Sequence, residues 1–187
     1  MEQLEMFLPD GTRAGCGVDR ARAHAQGILH GASHVFICRK QKGMIEVLLQ
    51  RRAPGKDSYP GCLDTSSAGH IERGSDFLQT ALREMEEELG LRVLAEELRE
   101  LFVQRVELES LFHGRPFIDR EINRVYLYVP REEPVFRIQA EELSEVVWMN
   151  LDAVLERVRA GDGEYCLEAD ELEKAARCIR EIMGSDI

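Results

Sequence analysis

An α+β fold with a mixed sheet between helices is what this sequence predicts, and three observations predict it. Runs of aliphatic and β-branched residues, each of strand length, recur between turn residues through much of the chain. One well-bounded helix interrupts them between Gly74 and Gly90, and two further helical periods come late in the chain. At 187 residues, 44% of them hydrophobic, the chain can bury one proper core but not two comfortable ones, so a single domain over 1–187 is expected.

Residues 1–32 read as an irregular N-terminal extension, with a turn at Pro9-Asp10-Gly11-Thr12 between two short strands. Between Arg20 and His34, Gly27 and Gly31 argue for a loop. His24 and His30 lie six positions apart there and would not face each other on a regular helix; single histidines are more often structural than functional. The runs 34–38 and 45–50 are strand-like around Gln41-Lys42-Gly43. The second ends in Arg51-Arg52, with Lys56 in the Pro/Gly loop beyond. Basic residues there either hold a diphosphate or form an ordinary polar strand end.

A rigid loop, 59–64, leads to the central helix. Strands are then expected over 101–108 and 123–129, with a Gly/Pro-containing loop at 110–119 between them. A short strand at 146–149 precedes a helix over 151–160 that stops at Gly161. The last helix, 168–183 within a C-terminal segment 165–187, presents Leu172, Ala175, Ala176 and Ile179 at helical spacing. It can pack on its own domain or on a second copy, which leaves a homodimer open.

A formal charge of −11 argues against binding to nucleic-acid polymers and anionic membranes, which requires basic patches. No apolar run approaches the roughly 20 residues of a membrane-spanning helix. Cys16, Cys38, Cys62, Cys166 and Cys178 have no C-x-x-C spacing and are odd in number, which fits reduced thiols. The N-terminal residues lack the zones of a signal peptide, so a cytoplasmic enzyme with a small-molecule substrate is expected.

The chemistry concentrates in 69–91. Ser75 offers an N-cap hydroxyl, Asp76 a carboxylate for the positive helix end, and Gly90 a left-handed stop. Leu78, Leu82, Met85 and Leu89 form an apolar stripe. Glu84, Glu87 and Glu88 fall within an arc of roughly 100° that borders this stripe. Three carboxylates so placed repel one another at the end of the helix where the macrodipole disfavours them. A compensating cation is expected, and carboxylate oxygens suit Mg²⁺ or Mn²⁺; the alternative is a merely acidic helix face.

These residues resemble the Nudix signature, G-x5-E-x7-R-E-U-x-E-E-x-G-U with U aliphatic. Gly69, Arg83, Glu84, Met85, Glu87, Glu88, Gly90 and Leu91 match it in register, and Ser75 stands where the first glutamate belongs. The resemblance implies a Nudix-like α/β/α sandwich and a metal-dependent hydrolase acting on a diphosphate linkage. It further implies that Glu84, Glu87 and Glu88 hold the metal and that Arg83 orients Glu87. Glu87, Glu88, Glu121 or Glu142 would serve as base. Glu72 and the neighbouring Asp76 are the candidates to replace in part the acid missing at Ser75.

Within that superfamily the chain is similar to the isopentenyl diphosphate isomerase subgroup. The residues that carry this are His24-x-x-Gly27-x-x-His30, Arg51-Arg52, Lys56, Tyr59-Pro60-Gly61 and Ala68-Gly69-His70. The likeness implies that His24, His30 and His70 are candidate further metal ligands and that Arg52 and Lys56 bind the diphosphate. The isomerase's catalytic cysteine would fall at Ala68, so isomerisation is disfavoured and hydrolysis is expected. An inactive Nudix-fold binding module is the other alternative.

Overall fold

A computed structural model describes residues 3–184. The chain runs β1 (Gln3–Phe7), β2 (Arg13–Asp19), α1 (Arg20–Gln26), β3 (His30–Gln41), β4 (Met44–Arg52), β5 (Leu63–Asp64) and β6 (Ser67–His70). It continues with α2 (Phe77–Leu89), β7 (Leu98–Phe112), β8 (Arg115–Tyr128), β9 (Leu143–Asn150), α3 (Leu151–Arg159) and α4 (Ala169–Gly184). The pivot is β3, which changes partners along its length. Its first part runs parallel to β8 and antiparallel to β6, and its last four residues turn into β4. β4 carries the sheet on to β9 and β5. The sheet is therefore mixed.

The run Val35-Phe36-Ile37-Cys38 is buried throughout because β3 is covered on both faces. Val35 and Ile37 pack with Leu48 and with Phe77, Ala81, Met85 and Leu89 of α2. Phe36 and Cys38 pack with Val47, Leu49 and the α3 and α4 residues Val154, Leu172, Ala176 and Ile179. Period-two alternation thus sorts one apolar run into two cores. This gives the α/β/α layering, and it places α4 against its own domain. No helix among the described residues is long and apolar enough to cross a membrane.

Five expectations need correction. Residues 3–7 and 13–26 are regular, and the loop expected over 20–34 is a helix followed by the start of a strand. Asp19 caps α1, and Gly27, at φ +61, closes it in the left-handed region. Gly31 lies inside β3, where a Cβ would meet the Phe7 ring at 2.8 Å, so its role is close packing. The loop expected at 110–119 is the end of a long hairpin. β7 and β8 pair as far as Phe112 with Arg115 across His113-Gly114, both at positive φ as a two-residue hairpin turn requires.

The other two corrections concern α2. Its N-cap is Asp76, which accepts from the Gln79 N–H at 2.8 Å; the Ser75 hydroxyl lies 3.5 Å from that of Thr80. Its buried face runs through Phe77, Thr80, Ala81, Met85, Glu88 and Leu89, with Leu78 and Leu82 only partly covered. The helix is therefore rotated towards its acids, and Glu88 enters the interior.

Candidate active site

β6 and α2 bring the acids to one wall. Glu88 is buried, and its Oε2 accepts from the Ser67 hydroxyl at 2.8 Å. Burial first, then the charge of Glu84, pushes the Glu88 carboxyl up to about 8. Glu84 lies over Gly69, where any Cβ would overlap its carboxylate, so the glycine is needed for that close approach. Arg83 sits among three acids: Nη2 is 2.8 Å from Glu84, Nη1 3.0 Å from Glu87 and 3.6 Å from Glu72. Part of the cation demanded by the acid arc is thus Arg83 itself. Glu72 reaches this cluster, whereas Asp76 is engaged as the cap and Ser75 lies outside it.

α1, β3, β6 and β8 converge on a second group. The His24, His30 and His70 ring centroids lie 5.1–5.2 Å apart. Asp119 and Glu121, two apart on β8, share one face of the strand and join them. Asp119 Oδ1 is 3.6 Å from His24 Nε2 and 3.5 Å from His30 Nε2. Glu121 Oε1 is 3.6 Å from His30 Nε2 and 3.3 Å from His70 Nε2.

His24 Nε2, His30 Nε2 and Asp119 Oδ1 are buried and lack hydrogen-bond partners. Unpaired polar atoms are costly inside a protein, so this arrangement fits a cation. Burial, then the neighbouring His70 and His30, pushes His24 down to about 3, which keeps it neutral as a ligand must be. Burial and the charge of Glu121 push Asp119 up to about 7. Burial acts in the same sense on Glu121, but the neighbouring His30 and His70 imidazoles outweigh it and hold that carboxyl well below its usual range. Among the described residues, two donor groups have their ligand atoms within 4.8 Å of one another: His24–His30–His70 and His30–Asp119–Glu121. The box acids are not drawn together in this way; Glu87, half exposed, turns towards Arg83.

Of the basic residues after β4, Arg52 points inward. Its Nη1 is 3.0 Å from Asp64 Oδ2, and its Nε donates to the Ser58 carbonyl at 3.1 Å. Lys56 is ion-paired with Glu142. Arg51 faces elsewhere, bound to Glu145 and Glu164.

One cavity of about 380 Å³ unites these groups. Its walls include Glu84, Glu87 and Glu88, Arg52 and Lys56, and His24, His70, Asp119 and Glu121. His30 lies beneath the surface, fully buried.

The NUDIX domain family matches residues 29–168. The chain belongs to the Nudix family. Nudix hydrolase 3 of Arabidopsis thaliana is 36% identical over 151 residues, 79% of this chain and 19% of that protein. An uncharacterised Nudix hydrolase of Pseudomonas aeruginosa is 34% identical over 84% of this chain and 85% of its own length. One from Clostridium acetobutylicum is 31% identical over 71% and 63%. The chain thus spans about a fifth and under two thirds of the Arabidopsis and Clostridium relatives.

Among solved structures, a Deinococcus radiodurans protein superposes with a TM-score of 0.71 at 20% identity, over 96% of this chain and all of that one. The NUDIX domain of Shewanella oneidensis NrtR, solved with ADP ribose, gives 0.56 at 20% identity over 89% and 94%. Both likenesses establish the Nudix fold.

Sequence reasoning missed Asp119 and named Glu121 only as a candidate base. The available signal was the i, i+2 spacing of two acids beside a strand-like run. It was hidden because 110–119 reads as a loop, and no local pattern says that β8 lies against His30 of β3.

Proposed function

We propose that this Nudix protein is a pyrophosphohydrolase that cleaves a diphosphate linkage in a small molecule such as a nucleoside diphosphate derivative, with Mg²⁺ or Mn²⁺. The observation that carries this reading is the single cavity shared by the box acids, Arg52 and Lys56. Glu84, Glu87 and Glu88 would hold a cation, and Glu88 must lose its proton as the cation enters. Three imidazoles with two carboxylates form a further donor set, suited to Mn²⁺ better than to Mg²⁺. A bound divalent ion supplies charge stabilisation at the phosphoryl oxygens and lowers the pKa of water.

The chain's own residues do the rest. Arg52, held by Asp64 and Ser58, presents a fixed guanidinium fork to the diphosphate. Lys56 exchanges its partner Glu142 for a phosphate oxygen, which leaves the Glu142 carboxylate free at the cavity wall to take a proton from the attacking water. Arg83 orients Glu84 and Glu87 through its ion pairs. Ala68 offers no thiol for isoprenoid isomerisation. The Cys166 thiol does line the cavity, but it is only partly exposed and desolvation pushes its pKa far up, so it is inert. The test is turnover of a Glu87→Gln/Glu88→Gln double variant: loss with the fold retained supports the reading, and wild-type turnover contradicts it.

A further inference from the structure

The family match ends at residue 168, yet the next helix contacts His34 and Asn123, two residues that line the cavity. Glu171, in the first turn of α4, is only 5% exposed although it is an acid. Its Oε1 is 2.6 Å from His34 Nδ1, and its Oε2 accepts from Gln104 Nε2 at 2.6 Å and from Asn123 Nδ2 at 3.5 Å. Lys174, one turn on, donates to Gln104 Oε1 at 3.0 Å. A surface helix does not need a buried carboxylate to dock, because Leu172, Ala175, Ala176 and Ile179 already pack on the core. A buried acid without partners would be costly, and this one is fully engaged.

His34 is what the network holds. It lies on β3 opposite Ala68 of β6 on one side and Val125 of β8 on the other, so the three side chains share one face of the sheet. His34, Ala68 and Asn123 all line the cavity. With only a methyl group at Ala68, the space beside the imidazole stays open. Because Nδ1 is committed to Glu171, Nε2 is the ring's remaining polar atom. Asn123, whose Nδ2 donates to Glu171, lies on the same cavity wall. Burial disfavours the charged ring, but the charge and hydrogen bond of Glu171 outweigh it and push the His34 pKa up to about 10.

We propose that α4 is a working part of the substrate site: Glu171 positions His34 so that its Nε2–H binds a non-bridging oxygen of the substrate's diphosphate. This inference rests on the pyrophosphohydrolase reading. His34 is the binding residue, and Glu171 is a positioning residue that acts through it.

The test measures binding of methylenediphosphonate, which cannot be hydrolysed, to the full chain with Mg²⁺ by calorimetry. The ¹⁵N shifts of the His34 ring are recorded alongside. His34→Ala should weaken binding about ten- to a hundredfold, the range of one hydrogen bond to a charged group. Glu171→Gln keeps an oxygen for Nδ1 but removes the charge, and should weaken binding about tenfold while thermal unfolding stays cooperative. In the wild type, both ring nitrogens should show protonated shifts at pH 8, and Nε2 should move when the probe is added. Binding within twofold of wild type in both variants, or an unmoved Nε2 resonance, overturns the inference and leaves the hydrolase reading standing. No binding by the wild type itself overturns both.

Discussion

Replacing Glu88 with glutamine should make the stability of the metal-free protein fall less steeply as pH rises from about 4.5 to about 8, while weakening its response to metal. The buried carboxyl holds its proton up to about pH 8, whereas the unfolded chain releases it near the ordinary 4.5. Between those values the folded state binds the extra proton, so stability falls as pH rises. The slope is about 1.4 kcal/mol per pH unit from this group alone. For a domain of this size that corresponds to about 3–5 °C in Tm per unit.

Glutamine is isosteric and can keep the bond from Ser67, but it does not titrate. Thermal unfolding at pH 5, 6, 7 and 8 with a chelator should therefore show a steeper decline for wild type than for Glu88→Gln. Saturating Mn²⁺ at about a hundred times Kd should stabilise wild type by about 2.7 kcal/mol, with most of the contribution from the box acids lost in the variant. Equal pH slopes in the two proteins, or equal metal-induced gains, would refute the reasoning.

Three further outcomes follow from the same geometry. Gly69→Ala should displace the Glu84 carboxylate and lower turnover at least about tenfold, with the secondary structure seen by circular dichroism intact. Glu142→Gln should lower kcat by about 10²–10⁴ and change KM little, if its carboxylate takes the proton as proposed; steady-state kinetics decide. His30→Ala combined with His70→Ala should abolish a Mn²⁺ site seen by electron paramagnetic resonance and leave any ion at the box acids in place.

What was legible in the sequence is what local chemistry encodes. Gly90 ended α2 where expected, since its N–H reaches back to the Glu86 carbonyl in a left-handed cap. The apolar period of the last helix put Leu172, Ala175, Ala176 and Ile179 into the core. The rest depends on partners remote in the chain. Gly31 reads as a loop residue until Phe7 and Ile71 are seen packed on it, and Gly114 reads the same way until its hairpin is drawn. Glu171 looks like a solvated first-turn acid, as helix starts commonly carry, and only the fold reveals His34 beneath it. Serine at position 75 was expected to cap the helix, but the neighbouring aspartate competes for that role and wins.

The most direct test of the whole account is hydrolysis in ¹⁸O-labelled water. Nucleoside diphosphate derivatives, nucleotide sugars and dinucleotides would be offered with Mg²⁺ or Mn²⁺ and the products read by mass spectrometry. The account predicts cleavage of a diphosphate linkage with one ¹⁸O carried on a phosphate of the product. No labelled phosphate from any of them, or conversion of isopentenyl diphosphate without hydrolysis, would contradict it.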